Sequence, residues 1–127
     1  MSFNWEDFIT LAEYLELNDY PPEEAAQRTA VSRAYYGAYC LARNFAEATG
    51  EIIIKGKAED HSEVIEFYEA KPAFQQVASC LREMRRWRNE CDYDNNNLKR
   101  LDRLCFSAKT NAHKVITLLK NFPQQTP

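Results

Sequence analysis

Polar and aromatic side chains crowd into one short stretch, RRWRNECDYDNNN, which runs from Arg85 to Asn97. If this stretch is helical, Arg88 and Asp92 are one turn apart and can form an ion pair, with Asn89 and Tyr93 beside them. Such a patch of guanidinium, amide, carboxylate and phenol groups could hold a phosphate, a ribose or a base. The alternative is a solvated helix end, whose ion pair contributes only about 0.3–0.5 kcal/mol.

A second stretch, RTAVSRAYYGAYCLAR, interleaves arginines with tyrosines from Arg28 to Arg43. On a helix, Ser32, Tyr36 and Tyr39 share one side, and Arg33 lies next to them in the sequence. Aromatic rings next to arginines can stack on bases and contact phosphates. The tyrosines can equally pack at the rim of a helical core or in a dimer, and spacing alone favours packing.

The two histidines, His61 and His113, and the four cysteines give little support for a metal site. No two cysteines have C-x-x-C spacing, and all four fall within apolar helical patterns, where a reduced thiol acts as a small hydrophobe. We therefore expect no metal and no cofactor, in a reducing cytoplasm. No apolar run reaches the ~20 residues needed to cross a bilayer, and no signal-peptide pattern opens the chain, so we expect no membrane contact.

Charge is spread unevenly along the chain, although the net value is only −3. Residues 1–27 contain seven acids and no lysine or arginine, whereas residues 82–127 contain ten bases and five acids. The second half could therefore offer anionic ligands a positive surface. The equally weighted alternative is that the acidic first helix packs beside the basic ones and neutralises them.

Hydrophobic periodicity predicts an all-α protein, an up-and-down four-helix bundle with one extra short helix. We expect one domain over residues 1–127, with a core from about 4 to 122 and a loose tail at 123–127. Residues 51–59 form a connection with a short β-branched run, and whether it orders as a strand is left open. The predicted helices are 4–17, 22–49, 61–70, 72–93 and 97–121.

The helix ends carry recognisable signals. Asn4 is expected to cap the first helix, Pro22 to occupy the first position of the second, and Gly50 to follow its end. Asp60 and Glu63 have capping-box spacing before the short helix. Pro72 can open the following helix, and the last helix is expected to be capped by Asn96 or Asn97.

Three motifs together resemble the signatures of HEPN domains (higher eukaryotes and prokaryotes nucleotide-binding), in particular small stand-alone prokaryotic members. They are AVSRAYYGAYCLAR, DHSEVIEFY and LREMRRWRNECDYD, which occur in family order over roughly residues 25–120. The resemblance implies a helical bundle that often dimerises with its polar motifs facing each other. Many members are ribonucleases, often toxins, and others accompany a minimal nucleotidyltransferase. The nuclease members carry R-x(4–6)-H, whose arginine and histidine act without metal, and here Arg88 matches the arginine and Asn89 the polar residue that often follows it.

The histidine of that motif is missing, because the three permitted positions after Arg88 hold Tyr93, Asp94 and Asn95. Imidazole titrates near neutrality, whereas the ordinary pKa values of tyrosine, near 10, and aspartate, near 4, are unsuited to the same role. His61 begins the middle helix and could approach Arg88, although a structural or capping role is the expectation for such a histidine. His113 lies away from any arginine motif and is expected to be structural.

These observations leave three hypotheses. The first is a HEPN-like module that binds RNA, a nucleotide or a nucleotidyltransferase partner, and that could belong to a toxin–antitoxin or two-component system. Its ligand-binding residues would be Arg33, Tyr36, Arg88, Asn89, Asp92 and Tyr93. The second is an atypical metal-independent endoribonuclease that uses Arg88 with His61 or Tyr93. The third is a purely structural bundle that oligomerises. The missing histidine favours the first.

We also expect a homodimer. Alanines recur every four residues along residues 26–38 and allow another helix to approach closely. The tyrosines of residues 28–43, expected to be exposed, would supply the rest of the contact surface.

Overall fold

The computed structural model describes residues 3–17 and 22–121, and its regular structure is entirely helical. No strand occurs within this part of the chain. The elements in chain order are α1 (Glu6–Leu17), α2 (Glu23–Ala48), α3 (Glu59–Glu69), a 3-10 turn (Pro72–Phe74), α4 (Gln75–Tyr93) and α5 (Leu101–Asn121). The predicted all-α class is confirmed, while the tail at 123–127 and the end of the first helix at Asn18 lie outside the described residues.

Four helices form an up-and-down bundle, and α3 is the extra short one. Contacts between helix ends fix the directions: Arg28 of α2 binds the carbonyl of Cys91 on α4, and Glu6 of α1 binds Lys120 of α5. Hence α1 runs antiparallel to α5, and α2 runs antiparallel to α4. The central helix is α2, because it packs against α1, α4 and α5.

The alanines of α2 explain its central position. Ala30, Ala34 and Ala38 are almost completely buried, and their small side chains let neighbouring helices approach closely. Tyr35 and Tyr39 are also buried, so they are packing residues rather than an exposed surface. The surface on which the sequence-based dimer was predicted is therefore inside the bundle, apart from the half-buried Tyr36.

Gly37 allows the closest approach between α1 and α2. A Cβ atom built at this position would lie 2.8 Å from Cγ1 of Ile9 and 3.0 Å from the carbonyl oxygen of Trp5. Both distances are too short for ordinary contact, so the absence of a side chain is what permits this packing.

Some helix-end predictions hold. Asn4 accepts a hydrogen bond from the Glu6 amide at 3.1 Å, as expected of a cap. Gly50 has a positive φ of 79° just after α2, a conformation that favours glycine. The start of the second helix was predicted one residue too early. Pro22 does not occupy its first position but precedes α2 in an extended conformation, and Glu23 is the first helical residue. Pro72 opens a 3-10 turn, and the α-helix itself begins at Gln75.

The predicted start of the last helix is wrong. It begins at Leu101 rather than at 97, and neither Asn96 nor Asn97 caps it. Residues 94–97 instead form a loop whose carbonyls are held by Arg28, and Arg100 adopts a positive φ of 57° immediately before the helix. A long-range contact therefore overrides the local preference of asparagine for a cap.

The predicted capping box at the short helix is also wrong. The helix starts at Glu59, and the Asp60 carboxylate turns back to accept the amides of Lys55, Gly56 and Lys57 at 3.1, 2.7 and 3.0 Å. These hydrogen bonds hold the pKa of Asp60 below its ordinary value. Asp60 therefore organises the connection before the helix instead of its first turn.

Candidate functional site

Arg88 lies on α4 and is only 7% exposed, which is unusual for an arginine. Its guanidinium carbon is 5.5 Å from the ring centre of Tyr35 and 5.2 Å from that of Tyr36, both on α2. Its Nη1 is 3.8 Å from Oδ2 of Asp92, one turn further along α4. The Nε atom is buried and has no hydrogen-bond partner within the described residues. The positive charge of Arg88 is thus only loosely compensated.

The Asp92 carboxylate is linked to two arginines, directly to Arg88 and through the Ser32 hydroxyl to Arg33. The Ser32 hydroxyl donates to Oδ2 of Asp92 at 3.3 Å, and Nη2 of Arg33 donates to the Ser32 oxygen at 3.3 Å. The side chains of Arg33, Ser32, Asp92 and Arg88 therefore form one connected polar network across α2 and α4. With two guanidinium groups and one carboxylate, the network has an excess of positive charge.

An open hollow of about 410 Å³ lies beside this network. The guanidinium of Arg33 sits 4.8 Å from the ring centre of Phe8 and 5.0 Å from that of Tyr36. Arg88 does not line the hollow and lies behind Tyr36 and Asp92. The lining residues are Trp5, Phe8, Arg33, Tyr36, Cys40 and Asp92. This arrangement of rings, a cation and an acceptor suits a planar, anionic ligand.

Arg28 holds the end of α4 in place. Its Nη1 donates to the carbonyls of Cys91 and Asp94 at 3.2 and 2.7 Å, and its Nη2 donates to that of Asn96 at 2.5 Å. Glu24 orients the guanidinium from one turn earlier on α2. Because these carbonyls are at a helix C-terminus, the contact is also electrostatically favourable. No local pattern in the sequence pointed to this positioning role.

His61 belongs to a stack of rings rather than to the hollow. Its Nδ1 is 2.6 Å from the Tyr35 hydroxyl, and its ring lies 4.1 Å from that of Tyr39 in a nearly parallel stack. Burial, followed by the nearby charges of Arg85 and Arg88, lowers the pKa of His61 to about 4. The imidazole is therefore neutral at pH 7, and Tyr35 connects it to the surroundings of Arg88.

Burial also raises the pKa values of the tyrosines in this stack. The pKa of Tyr35 moves well above its ordinary value, and that of Tyr39 rises to about 12. Both phenols are therefore protonated at neutral pH. A neutral His61 that accepts the Tyr35 hydrogen bond at Nδ1 carries its proton on Nε2.

The structure brings together four of the six predicted ligand-binding residues. Arg33, Tyr36, Arg88 and Asp92 form the network and the wall of the hollow. Asn89 and Tyr93 point to solvent, Tyr93 with 72% exposure. Within the described residues, neither makes a hydrogen bond to Arg88 or Asp92. Tyr93 is therefore not positioned beside Arg88 in the single chain.

Sequence reasoning missed the contribution of α1. Trp5 and Phe8 line the hollow, and their periodicity marked them only as core residues of the first helix. Nothing local could indicate which part of α2 they would face. His113 lies away from the hollow, with its Nε2 3.2 Å from the carboxylate of Glu13.

Two further properties of the described residues bear on function. No group of three or more histidine, cysteine or acidic side chains within residues 3–17 and 22–121 could hold a metal ion. In the same part of the chain, no helix has the length and apolar character needed to cross a membrane.

No family model, no curated protein and no solved structure matches this chain. The similarity to HEPN domains thus rests on the three sequence motifs.

Proposed function

We propose that this chain is a HEPN-like binding module that takes a phosphate-bearing ligand, RNA or a nucleotide, in the hollow between α1, α2 and α4. The observation that carries the proposal is the hollow itself, where Arg33, Tyr36 and Asp92 meet beside the excess positive charge of Arg88. A phosphate would approach Arg33, and a base would stack on Tyr36.

The position of Arg88 gives it a supporting role in this proposal. It lies against Tyr36 and Asp92 without lining the hollow, so it adds positive potential and fixes both side chains. Arg88 is buried in a region of low dielectric constant, so its positive charge is screened less by solvent and salt than the charge of a surface arginine. A nucleotidyltransferase partner, a toxin–antitoxin context and a homodimer belong to the same proposal, on the resemblance alone.

The test is equilibrium binding of a fluorescently labelled single-stranded RNA, with mononucleotides as competitors. Arg33→Ala should weaken binding and reduce its salt dependence, because a phosphate contact is lost. Tyr36→Ala should weaken binding by about 1–3 kcal/mol, the usual value of a base stacked on a ring. Arg88→Met keeps much of the side-chain volume and should weaken binding less than Arg33→Ala.

The matched control is Arg86→Ala, because Arg86 is exposed on α4, the helix of Arg88, and does not line the hollow. It removes the same net charge but should leave the affinity nearly unchanged. Thermal unfolding of each variant separates lost binding from lost folding. If Arg33→Ala and Tyr36→Ala bind as tightly as Arg86→Ala, the hollow is not the binding site.

A second candidate is the metal-independent ribonuclease. Its one favourable observation is the chain of contacts from His61 through Tyr35 to Arg88. The lowered pKa of His61 counts against it, because a ring with a pKa of about 4 is a weak base and is scarcely protonated at neutral pH.

Incubation of the protein with total RNA in EDTA separates the two candidates. Cleavage that disappears in both Arg88→Ala and His61→Ala would favour the ribonuclease. Intact RNA at high protein concentration, together with saturable binding of the labelled RNA, would favour the binding module.

A further inference from the structure

The connection between α2 and α3 contains a short non-helical segment, EIIIK, from Glu51 to Lys55. Its side chains alternate: Ile52 and Ile54 pack against the core, while Ile53 is 76% exposed. This period of two is that of an extended chain with one face against the protein. The exposed face therefore carries an acid, an isoleucine and a base in order.

The three isoleucines at the centre of this segment have no backbone hydrogen bond in the described part of the chain, whereas the amides of Glu51 and Lys55 at its ends are bonded to side chains. Within the described residues, no hydrogen bond uses the amides or carbonyls of Ile52, Ile53 or Ile54. The Lys55 amide points inward to Asp60, and because successive amides alternate in direction, those of Ile52 and Ile54 face the other way. An exposed edge with free amides is a template for pairing with another strand.

We propose that this edge pairs with the same segment of a second copy of the chain, in an antiparallel arrangement centred on Ile53. Charge complementarity favours this arrangement. Antiparallel pairing about Ile53 brings Glu51 of each copy opposite Lys55 of the other, on either side of two facing Ile53 side chains. The free edges of Ile52 and Ile54 then exchange backbone hydrogen bonds across the two-fold axis.

Other arrangements of the same segment fit less well. A parallel pairing in register would put Glu51 beside Glu51 and Lys55 beside Lys55 of the partner, which is unfavourable. A shift of two residues would place Glu51 opposite Ile53 and lose both ion pairs. Because the acid and the base lie at opposite ends of the segment, only the antiparallel register centred on Ile53 forms both ion pairs.

The present partners of the two charged side chains do not prevent this exchange. Glu51 binds Lys71 at 3.1 Å and Lys55 binds Glu63 at 3.5 Å, both at the surface. Exposed ion pairs of this kind contribute little and rearrange easily. The shared edge is short, so we expect a weak, concentration-dependent dimer.

This interface is separate from the proposed ligand site. The broad groove beside the segment is lined by Ile53 and Phe67, among others, and by none of the residues of the hollow. The inference does not depend on RNA binding, and its test measures association alone.

Charge exchange provides the test, with sedimentation velocity from about 10 µM to about 1 mM as the measurement. Glu51→Lys alone and Lys55→Glu alone should each weaken self-association roughly tenfold, because each loses two ion pairs and opposes like charges. The double variant Glu51→Lys/Lys55→Glu reverses the order of the two charges, forms both intermolecular ion pairs again and should associate like the wild type. A mixture of the two single variants should form heterodimers, since their charges are complementary to each other.

The control is Glu63→Gln, which removes the internal partner of Lys55 but leaves the intermolecular pairs intact, and it should not weaken association. Amide hydrogen exchange gives the register directly: the Ile52 and Ile54 amides should become protected at high concentration, and the Ile53 amide should not. A wild type that stays monomeric at about 1 mM would overturn the proposal. So would single variants that self-associate as well as the wild type, or a mixture that forms no heterodimer.

Discussion

At the scale of the residue, the surroundings of a side chain decide its role. Arg33 and Arg88 belong to one polar network around Asp92, yet Arg33 lines the open hollow while Arg88 lies against two tyrosine rings. His61 has the chemistry of a general base in principle. Its stacked position between tyrosines and near arginines makes it a neutral hydrogen-bond acceptor instead.

We predict that His61 makes the fold sensitive to mild acid. Its pKa is about 4 when folded, against 6.5 in the unfolded chain, so the unfolded state binds more protons between these values. The stability that His61 contributes is therefore present above pH 6.5 and lost as the pH falls towards 4. After discounting for the half-exposed ring, the loss should be roughly 1–2 kcal/mol.

The measurement is the free energy of unfolding as a function of pH for the wild type and His61→Gln. The variant should lack the loss between pH 6.5 and 4 that is attributed to His61. His113→Gln is the matched control, and its unfolding free energy should still fall between pH 6.5 and 4 as that of the wild type does. A nuclear magnetic resonance titration that finds an ordinary histidine pKa for His61 would contradict the prediction.

At the scale of the element, α2 organises the molecule because its small and aromatic residues face three other helices. Arg28 at its start holds the loop after α4, and Gly37 at its middle admits α1. The hollow lies between the helices that these contacts hold together: Trp5 just before α1, Phe8 of α1 and Asp92 of α4 line it together with residues of α2. The candidate site is thus a product of helix packing.

We predict that Gly37→Ala destabilises the protein, although alanine is the better helix former. The gain in helix propensity is about 1 kcal/mol, but the new methyl group would lie 2.8 Å from Cγ1 of Ile9. Overpacking of this kind costs about 1–3 kcal/mol, so a net loss of about 1 kcal/mol is expected in chemical denaturation.

A double-mutant cycle identifies the cause. In an Ile9→Ala background the clash is largely removed, so Gly37→Ala should cost less there than in the wild type. An increase in stability for Gly37→Ala alone would mean that α1 does not approach α2 this closely.

At the scale of the whole molecule, the uneven charge is resolved by contacts between α1 and α5. Glu6 pairs with Lys120, Glu13 with His113 and Glu16 with Lys109. Glu6 and Glu16 of the acidic first helix therefore neutralise two lysines of the last one, which was one of the two possibilities open from the sequence. Within the described residues, no acid of α1 pairs with Arg88 or Arg33, so the positive charge beside the hollow is not neutralised from that side.

We predict that releasing the α5 bases makes binding less selective. Replacing Glu6, Glu13 and Glu16 by glutamine should cost little stability, about 1–2 kcal/mol in total, because exposed pairs are weak. It should raise the affinity for any polyanion, with a steeper salt dependence, and so reduce the difference between RNA and heparin.

The matched control is the triple replacement of Glu23, Glu47 and Glu59 by glutamine. These acids form no ion pair within the described residues, so the net charge changes equally without releasing a base. If both triple variants bind polyanions alike, net charge alone governs binding and the α1–α5 pairs are irrelevant to it.

Much of the fold was predictable because helix signals are local. The periodicity of apolar residues gave the helices within a few residues, and Gly50 marked the end of α2. The errors occur where a distant group intervenes. Arg28 holds the loop at 94–97, so the asparagines there do not cap the last helix. The Asp60 carboxylate binds amides of the connection before α3, so it does not cap the first turn of α3.

The helical class, the long alanine-striped second helix and the grouping of polar residues on α4 could all be read from the amino-acid sequence, since spacing within one helix fixes which side chains share a face. Which of those side chains meet, and that the second helix is central, depended on the packing of the helices. This packing buried Arg88, exposed Tyr93, added Trp5 and Phe8 to the hollow and joined His61 to Tyr35. The physical reason is that burial and pKa depend on contacts between helices, and these come from packing the whole chain at once.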